Sequence, residues 1–432
     1  MAWARVGAFA GVALLTMATT SAQRAVSASY TMPRAFPATP KPDLDALAID
    51  SGLEGESWNL FDSLLGTLEA DADPIAVDSG SEGESWKLFG SMLDGTGIEA
   101  GGWLQLGYHS ESNDLFNTDP DRINLQQAWL FAEKLAKSED GEIGFGFRFD
   151  GLFGTDGGDT VAFGNGLGSD GNPQGWDAGP NFQRGSGYGW ALPQAYLEVA
   201  SGDWTVKAGH FYTLIGYEVV GAPGNFFYSH AITMYNSEPF THSGVLASYA
   251  ASDDTTYYGG WTAGWDTGFD QFGEGSNFLG GVSTSLSDDV ALAYMTTLGD
   301  FGARGSDGFM QSVVVDVALS DDWNYVAQSD LLHVGSTGED TIGLNQYLFY
   351  QAKEDLDLGA RFEWWKNDAI TGYAPHGGTA PASGSVSHFS LTAGANYLIS
   401  PNIMLRPEYR YDWSEGADYN QGTFGIDLVA TF

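Results

Sequence analysis

Gly422-Thr-Phe-Gly-Ile-Asp-Leu-Val-Ala-Thr-Phe432 places Phe424, Ile426, Leu428, Ala430 and Phe432 on one side of an extended chain and Asp427 on the other. A period of two is that of a β-strand with one apolar face. Any half-buried sheet contains such a stretch, so its neighbours decide. Fifteen similar segments precede it, at 98–110, 125–135, 142–154, 191–200, 204–216, 242–251, 255–267, 276–287, 290–300, 312–320, 323–335, 342–353, 356–368, 388–400 and 403–414. Most are 9 to 13 residues long. Strands of soluble sheets usually have about 5–6 residues, and a tilted strand crossing hydrocarbon needs about 9–11.

The connections carry more than the strands. Short turns fall at 137–141, 201–203, 252–254, 288–289, 321–322, 354–355 and 401–402. Long ones alternate with them without exception, at 111–124, 155–190, 217–241, 268–275, 301–311, 336–341, 369–387 and 415–421. An even strand count, with short turns on one side and long loops on the other, is the layout of a transmembrane antiparallel β-barrel of the bacterial outer membrane. A soluble sandwich or propeller has no reason to keep one side short seven times running. A terminal aromatic at Phe432 resembles the C-terminal signal of such barrels.

Composition agrees. The 432 residues hold 59 Gly, no Cys, and 56 Asp+Glu against 17 Lys+Arg, a formal charge of −39. Such acidity argues against nucleic acid or anionic lipid headgroups as partners, since both need basic surface. It suits a surface that holds divalent cations or a pore that favours cations. Aromatic and Gly enrichment argues against disorder from residue 98 onward.

The N-terminus reads as a secretory signal: Arg5, an apolar run from Val6 to Ala18, and small residues up to Ala22. That run is shorter than the roughly 20 apolar residues of a spanning helix. Residues 23–48, with Pro33, Pro37, Pro40 and Pro42, read as a disordered leader. A duplication follows at an offset of 28 residues: Asp50-Ser-Gly-Leu-Glu-Gly-Glu-Ser-Trp-Asn-Leu-Phe61 recurs as Asp78-Ser-Gly-Ser-Glu-Gly-Glu-Ser-Trp-Lys-Leu-Phe89. Ser57 and Ser85 can cap short periplasmic helices with apolar stripes Trp58, Phe61, Leu64, Leu65 and Trp86, Phe89, Met92, Leu93. Residues 49–97 form this element and 98–432 the barrel. The element either plugs, trimerises or docks the barrel, or is a linker duplication.

Alternation then assigns the faces. Charged residues opposite apolar ones cannot face lipid near the midplane, at a cost of several kcal/mol each. The lumen-facing set is therefore Arg148, Asp150, Asp316, Arg361, Glu363, Arg406, Glu408, Arg410, Asp412 and Asp427, and so many charges predict a hydrated lumen. In 125–135 and 342–353 neither face is uniformly apolar. Pro193 and Pro407 lack the N–H a ladder expects, so the fourth strand is expected to start after Pro193 and a bulge to fall near Pro407. Tyr257, Tyr258, Trp261, Trp265, Trp323, Trp364 and Trp413 suit interfacial girdles. Sixteen strands enclose an aqueous channel, where eight would be filled by side chains.

The third long connection, Gly216-Tyr-Glu-Val-Val-Gly-Ala-Pro-Gly-Asn-Phe-Phe-Tyr-Ser-His230-Ala-Ile-Thr-Met-Tyr-Asn-Ser-Glu-Pro-Phe240-Thr-His-Ser-Gly-Val245, is rich in aromatic and polar anchors. With Gly101-Gly102-Trp103 and the Trp-x-Leu-Phe segments, it resembles the OmpL-like family of β-barrel porins over roughly residues 85–432. The resemblance implies a Gram-negative outer-membrane channel for small hydrophilic solutes and ions, set in lipid and lipopolysaccharide, and trimeric as general porins are. It further implies that the third loop folds into the lumen, with Glu218, Glu238, Asn225, Tyr228 and His230 at the constriction, against a basic wall of Arg148, Lys207, Arg361, Arg406 and Arg410. Alternatively these charges pair with neighbours such as Glu363 and Glu408 and only keep the lumen wet.

No catalytic constellation emerges. The seven histidines show no metal-ligand spacing. His210, or His230 beside Ser229, is the nearest approach to a Ser/His pair, and adjacent residues would not aim at each other. The Asp-Ser-Gly-x-Glu-Gly-Glu copies could hold surface Ca2+ or Mg2+, but their spacing is not that of an EF-hand and a solvated acidic turn is the better account. No cofactor is expected. Two functional classes remain: a cation-preferring diffusion channel, and a structural or adhesive surface barrel with a plugged lumen. N-terminal sequencing of the chain from isolated outer membranes should give Gln23 first, and retention of Met1 would reject the signal assignment.

Overall fold

The computed structural model describes residues 89–138, 141–167, 173–175, 187–368, 385–415 and 419–432. The signal segment, the leader and nearly all of the duplicated Trp58 and Trp86 segments lie outside them. The described tail of the second copy is one 3₁₀ turn, Gly90–Leu93, with Phe89 and Met92 exposed.

Sixteen strands close into one antiparallel barrel. In chain order they are β1 Glu99–His109, β2 Ile123–Lys134, β3 Gly144–Gly154, β6 Gly189–Ser201, β7 Trp204–Tyr212, β8 Thr241–Ala250, β9 Thr255–Thr262, β10 Ser276–Ser287, β11 Val290–Asp300, β12 Gly308–Ala318, β13 Trp323–Val334, β14 Glu339–Lys353, β15 Leu356–Asn367, β16 Val386–Ser400, β17 Ile403–Glu415 and β18 Asn420–Thr431. Each of the sixteen segments read from the sequence has its strand. A hairpin, β4 Phe163–Leu167 with β5 Pro173–Gly175, and a helical turn, α1 Gly157–Thr160, occupy the connection after β3. Among the described residues no helix is long and apolar enough to cross a membrane. The strands do the crossing.

The seam joins the two ends of the barrel. β18 runs antiparallel to β1 with Trp103 opposite Thr431, and Gly102 exchanges both backbone hydrogen bonds with Phe432 at 2.9 and 3.0 Å. A Cβ on Gly102 would meet the Trp129 carbonyl and the Phe432 ring, which explains glycine where the barrel closes. At the same rim the short turns reuse one device. Ser252, Ser287 and Ser320 each accept, on Oγ, the N–H two residues on, at 3.3, 3.3 and 3.4 Å. These are Ser turns followed by Asp pairs, local chemistry that a sequence displays openly.

The outer surface carries Leu104, Leu130, Phe145, Leu197, Phe278, Leu391 and Phe424. Near the short-turn rim Trp204 stacks on Tyr249 at 4.7 Å and Trp323 on Tyr350 at 4.5 Å; at the other rim Phe389 stacks on Trp413. Two residues expected in girdles are elsewhere. Tyr258 turns inward to hydrogen-bond Ser283, and Trp265 is buried beneath the Arg304 guanidinium.

The prolines act differently from expectation. β6 begins at Gly189, ahead of Pro193, and bulges at the proline: Leu192 and Pro193 together stand opposite Gly151 of β3, between the pairs Asp150 with Gln194 and Leu152 with Ala191. A bulge there removes the need for the missing N–H. At Pro407 there is no bulge: pairing of β17 with β16 lapses and resumes in the same register. The irregularity of β2 has a separate cause. Its register shifts at Gln126, so Gln126 and Gln127 both face inward.

The lumen is not uniformly wet. Its interior holds apolar clusters, one around Trp103, Phe116, Trp129 and Met234, another around Phe211, Leu246, Leu279, Met310 and Leu332. Residues 111–122, 217–241 and 301–305 fold over or into it. Substituting Gly102 by Ala should cost about 1–3 kcal/mol of barrel stability, read as loss of the compact, fast-migrating form in unboiled electrophoresis. Gly151→Ala, at a site with open space, should migrate as wild type.

Candidate constriction inside the barrel

The loop 217–241 leaves β7, crosses the lumen and returns to β8 through a short helix, α2, Ile232–Ser237. A loop buried in protein must find partners for backbone groups that water would otherwise satisfy. The wall supplies them. Arg406 Nη1 donates to Ala222 O at 2.9 Å and Asn225 O at 2.7 Å; Arg361 Nη1 donates to Ser229 O at 2.7 Å; Arg410 Nη1 donates to His230 O at 2.6 Å. Carboxylates take the N–H groups. Glu408 accepts from Tyr228 N and Ser229 N at 2.9 and 3.2 Å, and Glu363 from Ile232 N at 2.6 Å, at the start of α2. The loop carries its own acid for the next amide, since Glu218 Oε2 accepts from Ala231 N at 2.7 Å.

Charge is balanced within this frame. Arg361 contacts Glu218 at 2.7 Å and Glu363 at 2.8 Å; Arg410 pairs with Asp412 at 2.8 Å; Arg406 pairs with Asp427, which also accepts from Gln105. Arg361, Glu363 and Arg410 have no solvent exposure. The expectation that inward charges face water is therefore overturned for this group: they face the loop. Burial would raise the Glu218 carboxyl, but Arg361, His230 at 3.6 Å and the Ala231 N–H outweigh it and hold it at about 2.

Side chains complete the seat. Tyr228 Oη accepts from Gln126 Nε2 at 2.7 Å and lies 3.1 Å from His109 Nδ1, its ring resting over Gly107 and Gly425, where any Cβ would collide. Thr233 sits on Gly343 and donates to Asn345 at 3.0 Å; Phe226 sits on Gly359. Phe226 and Phe227 pack with Phe349 and Tyr347, which explains why β14 lacks a clean polar face. Gln127 uses its whole amide: Oε1 takes Trp103 Nε1 and Ala222 N, and Nε2 donates to Asp156 and Val220 O. Asn225 folds the loop on itself by accepting from Val219 N at 2.9 Å.

Glu238 has different company from that expected. Its partner is Gln328, at 2.6 Å, with Asp330 alongside rather than a basic residue. Burial and the Asp330 charge push its carboxyl well above the ordinary range.

The remaining candidates lie apart from the loop. Asp150 holds the wall together, accepting from Trp129, Gln194 and Arg148. Arg148 also pairs with Glu133 at 2.7 Å. Lys207 lies over Tyr196 and Phe211, 4.8 and 5.8 Å from the ring centroids. Asp316 borders a cavity of about 140 Å³ with Thr256, Ser283, Ala293 and Val314. So of the five proposed basic wall residues, Arg361, Arg406 and Arg410 meet the loop, and Arg148 and Lys207 do not. The Ser229 hydroxyl accepts from Arg361 and His230 turns toward Glu218, while His210 bonds Ser243 at 2.8 Å.

A closed sixteen-strand barrel with a long inner loop defines an outer-membrane porin. The chain belongs to the family described as "Putative beta-barrel porin-2, OmpL-like", which matches residues 97–432. The protein is thus a porin of the Gram-negative outer membrane. Similar solved structures include the outer-membrane channel DcaP of Acinetobacter baumannii, with 13% identity, TM-score 0.50, and coverage of 81% of this chain and 99% of that one. An anion-selective porin from Comamonas acidovorans gives 10%, 0.49, 78% and 99%. The trimer form of OmpT from Vibrio cholerae gives 13%, 0.48, 78% and 99%. No curated protein sequence matches.

Removing Arg361 would leave Glu218 buried without its guanidinium and Glu363 with Arg410 alone, at 3.6 Å, a loss of about 3–5 kcal/mol for a buried pair broken from one side. Arg361→Ala should lower the thermal unfolding midpoint more than Arg361→Lys does, and make the 217–241 loop a site of limited proteolysis. In acid the ion pair should persist, because a depressed carboxyl contributes stability that is lost only as pH falls from about 4.3 toward about 2. Proteolytic release of the loop on acidification from about pH 7 to about pH 4 would contradict this.

Proposed function

We propose that this porin is a diffusion channel for small hydrophilic solutes and ions, cation-preferring, with the 217–241 loop as its constriction. The observation that carries the reading is the loop's anchorage across the lumen by Arg361, Arg406 and Arg410. A segment so held narrows whatever passes. Below it, on the short-turn side, the inward and partly exposed groups are Glu133, Glu198, Asp316 and Asp357 against Arg148 and Lys207. This surplus of acid, set in a chain of net charge −39, favours cations in the vestibule. The basic residues of the constriction are occupied by carboxylates and carbonyls, which supports the vestibule as the selective element. The signal segment, the periplasmic role of residues 49–97 and assembly into homotrimers belong to the same proposal.

A second reading, a surface barrel with a closed lumen, draws on the zero exposure of Arg361, Glu363 and Arg410. Here the loop itself, rather than the N-terminal segment, would be the plug. Planar-bilayer recording of the purified protein separates the two. For a channel, reversal potentials in a KCl gradient should show cation preference that weakens from 0.1 M to 1 M salt, as the screening length falls from about 10 Å to about 3 Å. Anion preference at low salt would defeat the selectivity assignment, and absence of conductance would favour the closed barrel.

A further inference from the structure

The two roots of the constriction loop meet at one side chain. Glu238 follows α2, and its carboxylate lies over Gly216, the residue ahead of the loop, which has φ +90° and no room for a Cβ. From there Glu238 Oε1 reaches Gln328 Nε2 on β13 at 2.6 Å, and the same NH₂ group donates to Asp330 Oδ2 at 2.7 Å. Glu238 and Asp330 are both buried, at 2% and 0% exposure. One contact set thus ties the loop's entry, its exit and the wall.

The neighbouring cations are committed elsewhere. Arg361 is taken by Glu218 and Glu363, and Arg304, from the 301–305 loop, by Glu339 and Asn236 O. Glu218 adds further negative charge from the loop, and the Tyr347 phenol donates to Glu218. Two carboxyls this close, in a dry site and without a counter-cation, cannot both ionise cheaply. A metal ion is a poor substitute for the missing proton, because Gln328 presents donors rather than an acceptor to both acids. Among the described residues no group of three or more ligating side chains gathers there.

We propose that Glu238 and Asp330 form a proton-operated latch at the neck of the 217–241 loop, fastened while they share a proton and released when both are ionised. The proposal rests on the loop being the channel's constriction. Its direction follows from linkage. Burial and the Asp330 charge raise the Glu238 carboxyl, so its contribution is present in acid and is lost as pH rises through the raised value. Glu218, held low by Arg361, responds only at the acid extreme. The latch therefore opens on the alkaline side while the Arg361 anchor stays fastened.

Hydrogen exchange of the amides in 217–241 tests this on the purified full-length protein in detergent, over a series from about pH 5 to about pH 10, with labelling times scaled to equal chemical exchange. The wild type should lose protection about tenfold across the series, and Glu238→Gln and Asp330→Asn should keep it throughout. Folding of each variant is checked by its fast-migrating unboiled form, so either one suffices if the other fails to fold. Equal protection at all pH values in the wild type, or an unchanged response in both variants, would overturn the latch. So would recovery of protection on adding Mg2+ at high pH, which would make the pair a cation site. Parallel conductance distinguishes the two readings: an exchange response without conductance at any pH supports the latch and rejects the channel. Conductance with pH-independent exchange does the reverse.

Discussion

A chain segment placed inside a barrel has lost water as the partner of its peptide groups, and every N–H and C=O it buries has to be answered from the wall. That constraint organises the interior of this porin. Seven backbone groups of the 217–241 loop go to Arg361, Arg406, Arg410, Glu363 and Glu408, and each of those wall groups would itself be a costly buried charge without them. Loop and wall are therefore conditional on one another. The arginines come first in this arrangement because a guanidinium offers five donors in a fixed fork, enough to serve a carbonyl and a carboxylate together. Arg406 does so with Asp427 on one side and the carbonyls of Ala222 and Asn225 on the other.

The same constraint accounts for the glycines and amides of the inner wall. Where the loop lies against a strand there is no room for a side chain, and Gly107, Gly343, Gly359 and Gly425 stand at those contacts. Where the loop stands off by one hydrogen bond, Gln126, Gln127, Gln328 or Asn345 spans the gap. Amides suit a dry interior because they supply donor and acceptor without adding charge.

The barrel was legible because its evidence is local and repeated. Alternation marks the strands, and Ser252, Ser287 and Ser320 each announce a turn through a contact only two residues long. The inward direction of Arg361, Glu363, Arg406, Glu408 and Arg410 was legible for the same reason, since a charge opposite Leu or Tyr on one strand has a single tolerable side. What those charges face was not. Alternation distinguishes lipid from lumen but cannot tell water from a folded loop, and so a wet interior was expected where a packed one stands. Gln126 and Gln127 were hidden by a bulge that breaks the period at the two residues that hold the loop. Pro193 misled in a different way: the extra residue lies in its own strand, where Leu192 and Pro193 together oppose Gly151, so the strand runs through the proline instead of starting after it.

Glu218 and Glu238 look alike in sequence, two acids near the ends of one loop, and their surroundings set them apart. Glu218 meets a guanidinium and three further groups that stabilise its charge, so the cost of burial is repaid in Coulomb attraction and hydrogen bonds. Glu238 meets an amide and another acid, so the same burial is answered by keeping a proton. The difference is one of position along the loop. Glu218 lies beyond the neck, where β15 and β17 bring their arginines inward, and Glu238 lies at the neck, against β13, whose inward groups are Gln328 and Asp330. One loop is thereby held at two points with opposite dependence on protons, and a change in acidity can act on its neck without disturbing its anchor.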